Sequence, residues 1–249
     1  MHMLGTYISF EWLKLKRQKT WILIIMVPFI SVILGIGNFI GNYDVLMDQP
    51  TDNAWLEIWT QITLFYGILF LPIASGIYAA IVCRTDHLNG GWKLQFSLPI
   101  QRNVIYFSKL IVVLFLILMM QFTLLLFCLI GGAIVSIHDP IPWGFMFGAI
   151  FLSWLGTFTL CSIQLWLSYK IKSFGIPLSI NIILSLMVFA AYSSQWGMFY
   201  PWAQPAFAIS SPQESPVDSL PLFIGGIIIT FIICATFIGF RFGKSELKA

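Results

Sequence analysis

The chain has 249 residues, of which 59% are hydrophobic and only 9% are Asp, Glu, Lys or Arg. A soluble domain is roughly 45–50% apolar with about 25% charged residues, so a soluble globular fold is excluded and a membrane protein is implied. The net charge of +3 offers no basic surface of the kind that nucleic acid needs, and no such partner is expected.

In chain order, the first feature is "SFEWLKLKRQK", which as a helix puts Ile8, Trp12 and Leu15 on one stripe and Glu11, Lys14 and Gln18 on another. This predicts an amphipathic helix lying in the headgroup layer, anchored by Trp12, Lys14 and Arg17, with its cations toward anionic lipid. The apolar run that follows is nearer 20 residues than the 7–15 of a signal peptide, and no small-x-small cleavage site follows it, so a retained first span is expected.

Six runs have the length of about 20 residues that a helix needs to cross about 30 Å of hydrocarbon. They are Trp21 to Phe39, Ile58 to Val82, Val104 to Val135, Phe145 to Leu167, Phe174 to Ala191 and Leu222 to Phe240. The third is long enough to tilt or to open with an interfacial turn. No alternation of barrel type occurs, so the predicted fold class is an all-α integral membrane protein of six transmembrane helices. Pro28, Pro72 and Pro177 fall inside spans, where each removes a backbone donor and can kink the helix.

Between spans two and three lies "TDHLNGGWKLQFSLPIQRNV", a polar stretch in a greasy chain. Asn89-Gly90-Gly91 reads as a breaker, Trp92, Leu94, Phe96 and Leu98 as an apolar set, and Pro99 as a stop. Aromatic side chains on a short connection suit either a docking surface or an interfacial aromatic belt.

Inside the spans the strong polar groups are amides, Asn38, Gln61, Gln121, Gln164 and Asn181, with almost no charge at depth. Ion and proton pathways keep intramembrane charges in spite of a cost of about 2.5–3.5 kcal/mol each, so an ion-coupled carrier or channel is the less favoured reading. Catalytic motifs are missing: there is no HExxH, no GxSxG and no GxxxxGK[ST]. The chain is therefore read as no enzyme, with no catalytic or metal-ligating residue and no cofactor of its own. Cys83, Cys128, Cys161 and Cys234 lie in or at the ends of spans with no CxxC, which suggests neither a disulfide framework nor a metal site.

Connecting spans five and six is "SSQWGMFYPWAQPAFAISSPQESPVDSLP". Its aromatic residues suit a hairpin dipping into the outer leaflet, with Trp196, Phe199, Tyr200 and Trp202 as a possible outer gate; an ordinary interfacial belt is the plainer alternative.

All thirteen Lys and Arg fall before span one, between spans two and three or, for Lys109, in the opening turns of span three, between four and five, or after six. The other three loops hold seven acids, Asp44, Asp48, Asp52, Glu57, Asp139, Glu214 and Asp218, and no base. By the retention of basic loops, both termini are expected in the cytoplasm.

"FEWLKLKRQKTWILIIMVPF" and "RTDHLNGGWKLQFSLPIQRNVIYFSKL" resemble the permease subunits of type-2 ABC exporters, within them the lantibiotic-protection and bacitracin-resistance group. The matching residues are Glu11, Lys14, Lys16 and Arg17, then Gly91, Trp92, Lys93, Ser97, Leu98, Pro99, Arg102, Ser108 and Lys109. Departures are Asp86 for a Glu, Gly90-Gly91 for Gly-Thr, and Phe96 in a leucine-rich part. The resemblance implies one transmembrane permease domain over residues 1–249 with no nucleotide-binding domain, in a bacterial cytoplasmic membrane. It implies a short coupling helix between spans two and three that docks on a separate ABC ATPase through Asp86, Trp92, Lys93, Leu98, Pro99 and Arg102. ATP and Mg would be bound by that ATPase, present in two copies, and a second permease, identical or related, would complete a twelve-span unit. The implied substrate is an amphipathic peptide such as a lantibiotic. A membrane scaffold or sensor that binds a cytoplasmic partner without transport is the competing reading.

Overall fold

A run of twenty apolar residues in lipid has no water for its amides, so it must close its hydrogen bonds along its own length. In the computed structural model, which describes residues 2–16, 18–48, 53–97, 101–194 and 196–243, every predicted span does so, and no strand occurs among those residues. Helix α1 (His2–Lys16) precedes the first span, α2 (Trp21–Gly41). The second span is α3 (Ala54–His87), a short helix α4 covers Gly91–Ser97, and the third span is α5 (Arg102–Ile134). Spans α6 (Trp143–Lys170), α7 (Gly175–Tyr192) and α9 (Leu220–Gly243) complete the six, with helix α8 (Gln204–Ile209) before the last.

Residues 54–57, at the acidic end, are helix although read as loop, and the larger difference from expectation lies at the opposite end of the bundle. Residues 83–87 and 102–103, read as loop, are helix, because α3 and α5 run on past their apolar cores. At 34 and 33 residues each is about 50 Å long, against about 30 Å of hydrocarbon. The bases Lys14, Arg84, Lys93, Arg102, Lys109, Lys170, Lys172 and Arg241 gather at this end, and Asp44, Asp48, Asp139, Glu214 and Asp218 at the other.

The three prolines have different fates. Just before Pro72, α3 passes through a π-helical turn, Tyr66–Phe70. Proline has no N–H for the carbonyl four residues back, and a wider turn absorbs the missing bond without ending the helix. Pro28 stays inside α2, whereas Pro177 falls in the first turn of α7, where no intrahelical donor is required.

Spans α3, α5 and α6 are the most buried, and α2, α7 and α9 pack around them with Ile and Phe side chains facing outward. Small helix α8 is wholly buried although it belongs to a loop. It packs on α6, where a Cβ at Gly156 would lie 2.9 Å from the Pro205 nitrogen. Ser153 Oγ donates to the Pro205 carbonyl at 2.9 Å, and Trp59 Nε1 to the Ile209 carbonyl at 2.9 Å. Ser153 is ten residues into α6, about 15 Å from its start, so the segment re-enters the bundle to about mid-depth.

Candidate functional site

The site is built at the basic end by four elements. Two charged residues one helical turn apart on α1, Glu11 and Lys14, meet Asp86 from the last turn of α3 and Lys109 from the second turn of α5. Lys14 Nζ lies 2.8 Å from Glu11 Oε1 and 2.8 Å from Asp86 Oδ1. Lys109 Nζ lies 2.8 Å from Glu11 Oε2 and also pairs with Asp86 Oδ2. Each carboxylate thus bridges both ammonium groups, in a closed ring of two positive and two negative charges. Glu11, Asp86 and Lys109 are 1%, 3% and 1% exposed. Burial of this kind is tolerated only where every charge is paired.

Helix α4 enters the ring from below. Gln95 Nε2 donates to Asp86 Oδ1 at 2.8 Å, and Lys109 Nζ lies 5.2 Å from the centre of the Trp92 ring. The approach depends on two glycines: Gly90 turns the chain at φ +70°, and a Cβ at Gly91 would sit 2.9 Å from the Asp86 Cα. One turn apart on the inner face, Trp92 and Phe96 enter a cage of rings from the other spans. Trp92 meets Tyr169 of α6 at 4.8 Å and Phe242 of α9 at 6.2 Å, and Phe96 meets Phe242 at 6.1 Å. Tyr106 of α5 closes the cage against Phe242 at 5.6 Å. A seven-residue helix is too short to hold itself; it is held by salt-bridged polar groups on one side and aromatic packing on the other.

The predicted residues divide accordingly. The structure places Asp86 and Trp92 inside the protein and not on a partner-facing surface, because one is an ion-pair partner and the other a core aromatic. Lys93 and Leu94 face outward, Leu94 at 68% exposure. Arg102 lies over the Phe96 ring at 5.1 Å. Leu98, Pro99 and Arg17 lie outside the described residues. On α1, Lys14 turns to Glu11 and Asp86 and not to lipid, whereas Trp12 is half-buried between Trp21 and Phe115, at 5.2 and 5.4 Å. Glu11, Gln95 and Lys109 belong to the site although the sequence reading gave them no role in it. Their signal is available: Glu11 and Asp86 are isolated acids at an end otherwise crowded with bases.

At the acidic end, the four aromatic residues of the possible gate also divide. Trp202 is buried with Nε1 donating to Asn181 Oδ1 at 2.7 Å, and Tyr200 donates its hydroxyl to the Leu184 carbonyl at 2.8 Å. Phe199 packs beside Gly226 of α9, and Trp196 is 75% exposed. Three of them therefore brace the re-entrant segment. Beside it, α6, α8 and α9 enclose an apolar groove of about 560 Å³, walled by Gly148, Ala149, Leu152, Phe207 and Phe223, with Ser210 and Ser215 also on its lining.

Six spans around a re-entrant segment, with a short helix seated on the basic end, define a multi-pass membrane protein of transporter type. The chain belongs to the ABC-2 family transporter proteins, whose family model matches residues 7–188. It is the membrane-spanning permease component of an ABC transporter and works with an ABC ATPase partner. The match includes all four members of the charge ring and α4, and ends within α7. No curated protein and no solved structure matches the chain.

Proposed function

We propose that this permease is half of an ATP-driven exporter, that α4 receives the movement of a cytoplasmic ATPase dimer, and that the substrate is an amphipathic antimicrobial peptide of the lantibiotic or bacitracin-like kind. The observation that carries the coupling reading is the two-sided seat of α4. Its inner face is fixed to α1, α3 and α5 by the charge ring and to α5, α6 and α9 by the aromatic cage, while Lys93 and Leu94 point away. A push on the outer face is then delivered to several spans together, not lost in a loop. The basic end faces the cytoplasm in this reading. A second permease, identical or related, supplies the other six spans, and two ATPase subunits bind ATP and Mg. The groove at the acidic end is apolar, as the apolar face of an amphipathic substrate requires, and that supports the substrate class.

The test is to express the permease with its ATPase and compare Leu94→Asp with the wild type. The variant should stay monodisperse in detergent, because Leu94 is 68% exposed. Its ability to retain and stimulate the ATPase should fall about tenfold or more, as expected for a central interface side chain. Unchanged stimulation would remove α4 from the coupling path, and retained binding without stimulation would favour the scaffold reading.

A further inference from the structure

Away from the charge ring, the basic end carries a second constellation. The ends of α3 and α6 and the start of α7 enclose a recess lined by Arg84, His87, Ser168, Lys172, Ser173 and Phe174 among others. Along α6, Thr157 and Ser162 turn their hydroxyls back onto their own helix, to the carbonyls of Trp154 at 2.6 Å and Phe158 at 2.9 Å. That is the usual choice of a helical hydroxyl in a dry environment. Ser168 makes no such bond. Ser168 is 3% exposed and lies on the lining of the recess, and its Oγ is buried with no partner among the described residues. A buried hydroxyl without a partner is unfavourable, and here it leaves a donor beside the recess.

The surroundings say what kind of group. His87 is already spent, since its Nε2 donates to the Ser168 carbonyl at 2.8 Å. Two full cations stand at the rim, and no carboxylate lines the recess among the described residues. The Arg84 guanidinium is steadied 5.7 Å from the centre of the Phe174 ring, and among the described residues neither Arg84 nor Lys172 is in a salt bridge. The open volume is about 10 Å³, which is the room that one oxygen-sized group needs. An anion seated between Arg84 and Lys172 would meet both cations, and the open volume beside Ser168 has room for one of its oxygens. The apolar part of the lining, Ala80, Ile171, Phe174 and Pro177, continues toward the outward-facing Ile176 of α7, where an acyl chain would lie. Basic recesses between spans at the cytoplasmic side suit phospholipid headgroups on general grounds.

We propose that this recess binds the phosphate of an anionic phospholipid of the cytoplasmic leaflet. The leaflet follows from the orientation assigned above, but the binding is a property of the isolated chain and can be read with no ATPase present, so its failure would leave the coupling reading intact.

Native mass spectrometry of the full chain, released from neutral detergent with dioleoyl phosphatidylglycerol, dioleoyl phosphatidylcholine or inorganic phosphate, tests this. One phosphatidylglycerol should be retained at activation energies that strip phosphatidylcholine. Arg84→Gln with Lys172→Gln should weaken retention about tenfold or more, each cation being worth about 1 kcal/mol, and Ser168→Ala should weaken it less while leaving the protein monodisperse. Lys93→Gln, which removes a cation from the same end but not from the recess, should change nothing. The proposal is overturned if Lys93→Gln lowers retention as much as the double variant, if the recess variants retain lipid like the wild type, or if inorganic phosphate binds and abolishes lipid retention.

Discussion

Lys109 holds an ammonium group where helix packing leaves it no water, and its two carboxylate neighbours belong to other elements. A buried ion pair adds little net stability, because desolvation offsets attraction, but removing one member leaves an unpaired buried charge at a cost of about 3–5 kcal/mol. Lys109→Met should therefore cost stability in that range, read as a lower unfolding temperature in detergent. Glu11 and Asp86 would be left to share the Lys14 ammonium alone. A second substitution, Asp86→Asn, removes one of those two carboxylates, so the pair Lys109→Met, Asp86→Asn should recover part of the loss. A double variant that loses as much as the sum of its single changes would show that the four side chains do not act as one ring. The charge ring then specifies a geometry, α1 against α3 and α5, more than it adds to stability.

Among the elements, α4 and α8 carry the argument, and they were not equally readable. Six apolar runs announce six spans, because lipid imposes both their length and their helical state. Helix α4 was legible as a place but not as a geometry. Trp92, Leu94, Phe96 and Leu98 alternate, which suggests a common face, but a helix separates them and turns Trp92 and Phe96 in while leaving Leu94 out. Asp86 and Lys109 are 23 residues apart, and no local pattern says that they meet. The burial of α8 was legible only as an excess of aromatic residues, because its partners are a hydroxyl on α6 and an indole on α3 that donate to its carbonyls. The close contact at Gly156 offers a test at this scale. A Gly156→Val side chain would collide with the backbone of Gln204 and Pro205, which neither can yield without moving α8. The variant should assemble with its ATPase, whose proposed contact is at the other end, yet lose most transport, measured as resistance to the proposed peptide substrate. Full resistance would mean that the re-entrant segment can shift at no cost to the path.

For the whole molecule, the question is which way it lies, since the coupling proposal depends on it. Two arguments of different kind agree. Thirteen bases and three acids occupy one set of loops and ends, against seven acids and no base in the other, and retention of Lys and Arg predicts the first set in the cytoplasm. Independently, α3 and α5 exceed the hydrocarbon by about 20 Å each, of which tilt absorbs only part. The surplus appears where Asp86 and Lys109 are paired with α1 and where α4 sits. The acidic end is finished differently: the α5–α6 loop caps α3 directly, with Asp139 Oδ2 accepting from the Ala54 N–H at 2.8 Å and Trp55 Nε1 donating to the Asp139 carbonyl at 3.0 Å. A carboxylate at a helix N-terminus favours the helix dipole, and a loop closed in this way leaves little to engage a soluble partner. Alkaline phosphatase, active only after export, fused after Ser136 should therefore be active, and fused after Ser173 inactive. The reverse pattern would place α4 and the charge ring outside the cell, where no ATPase could reach them, and the coupling proposal would fall with the orientation.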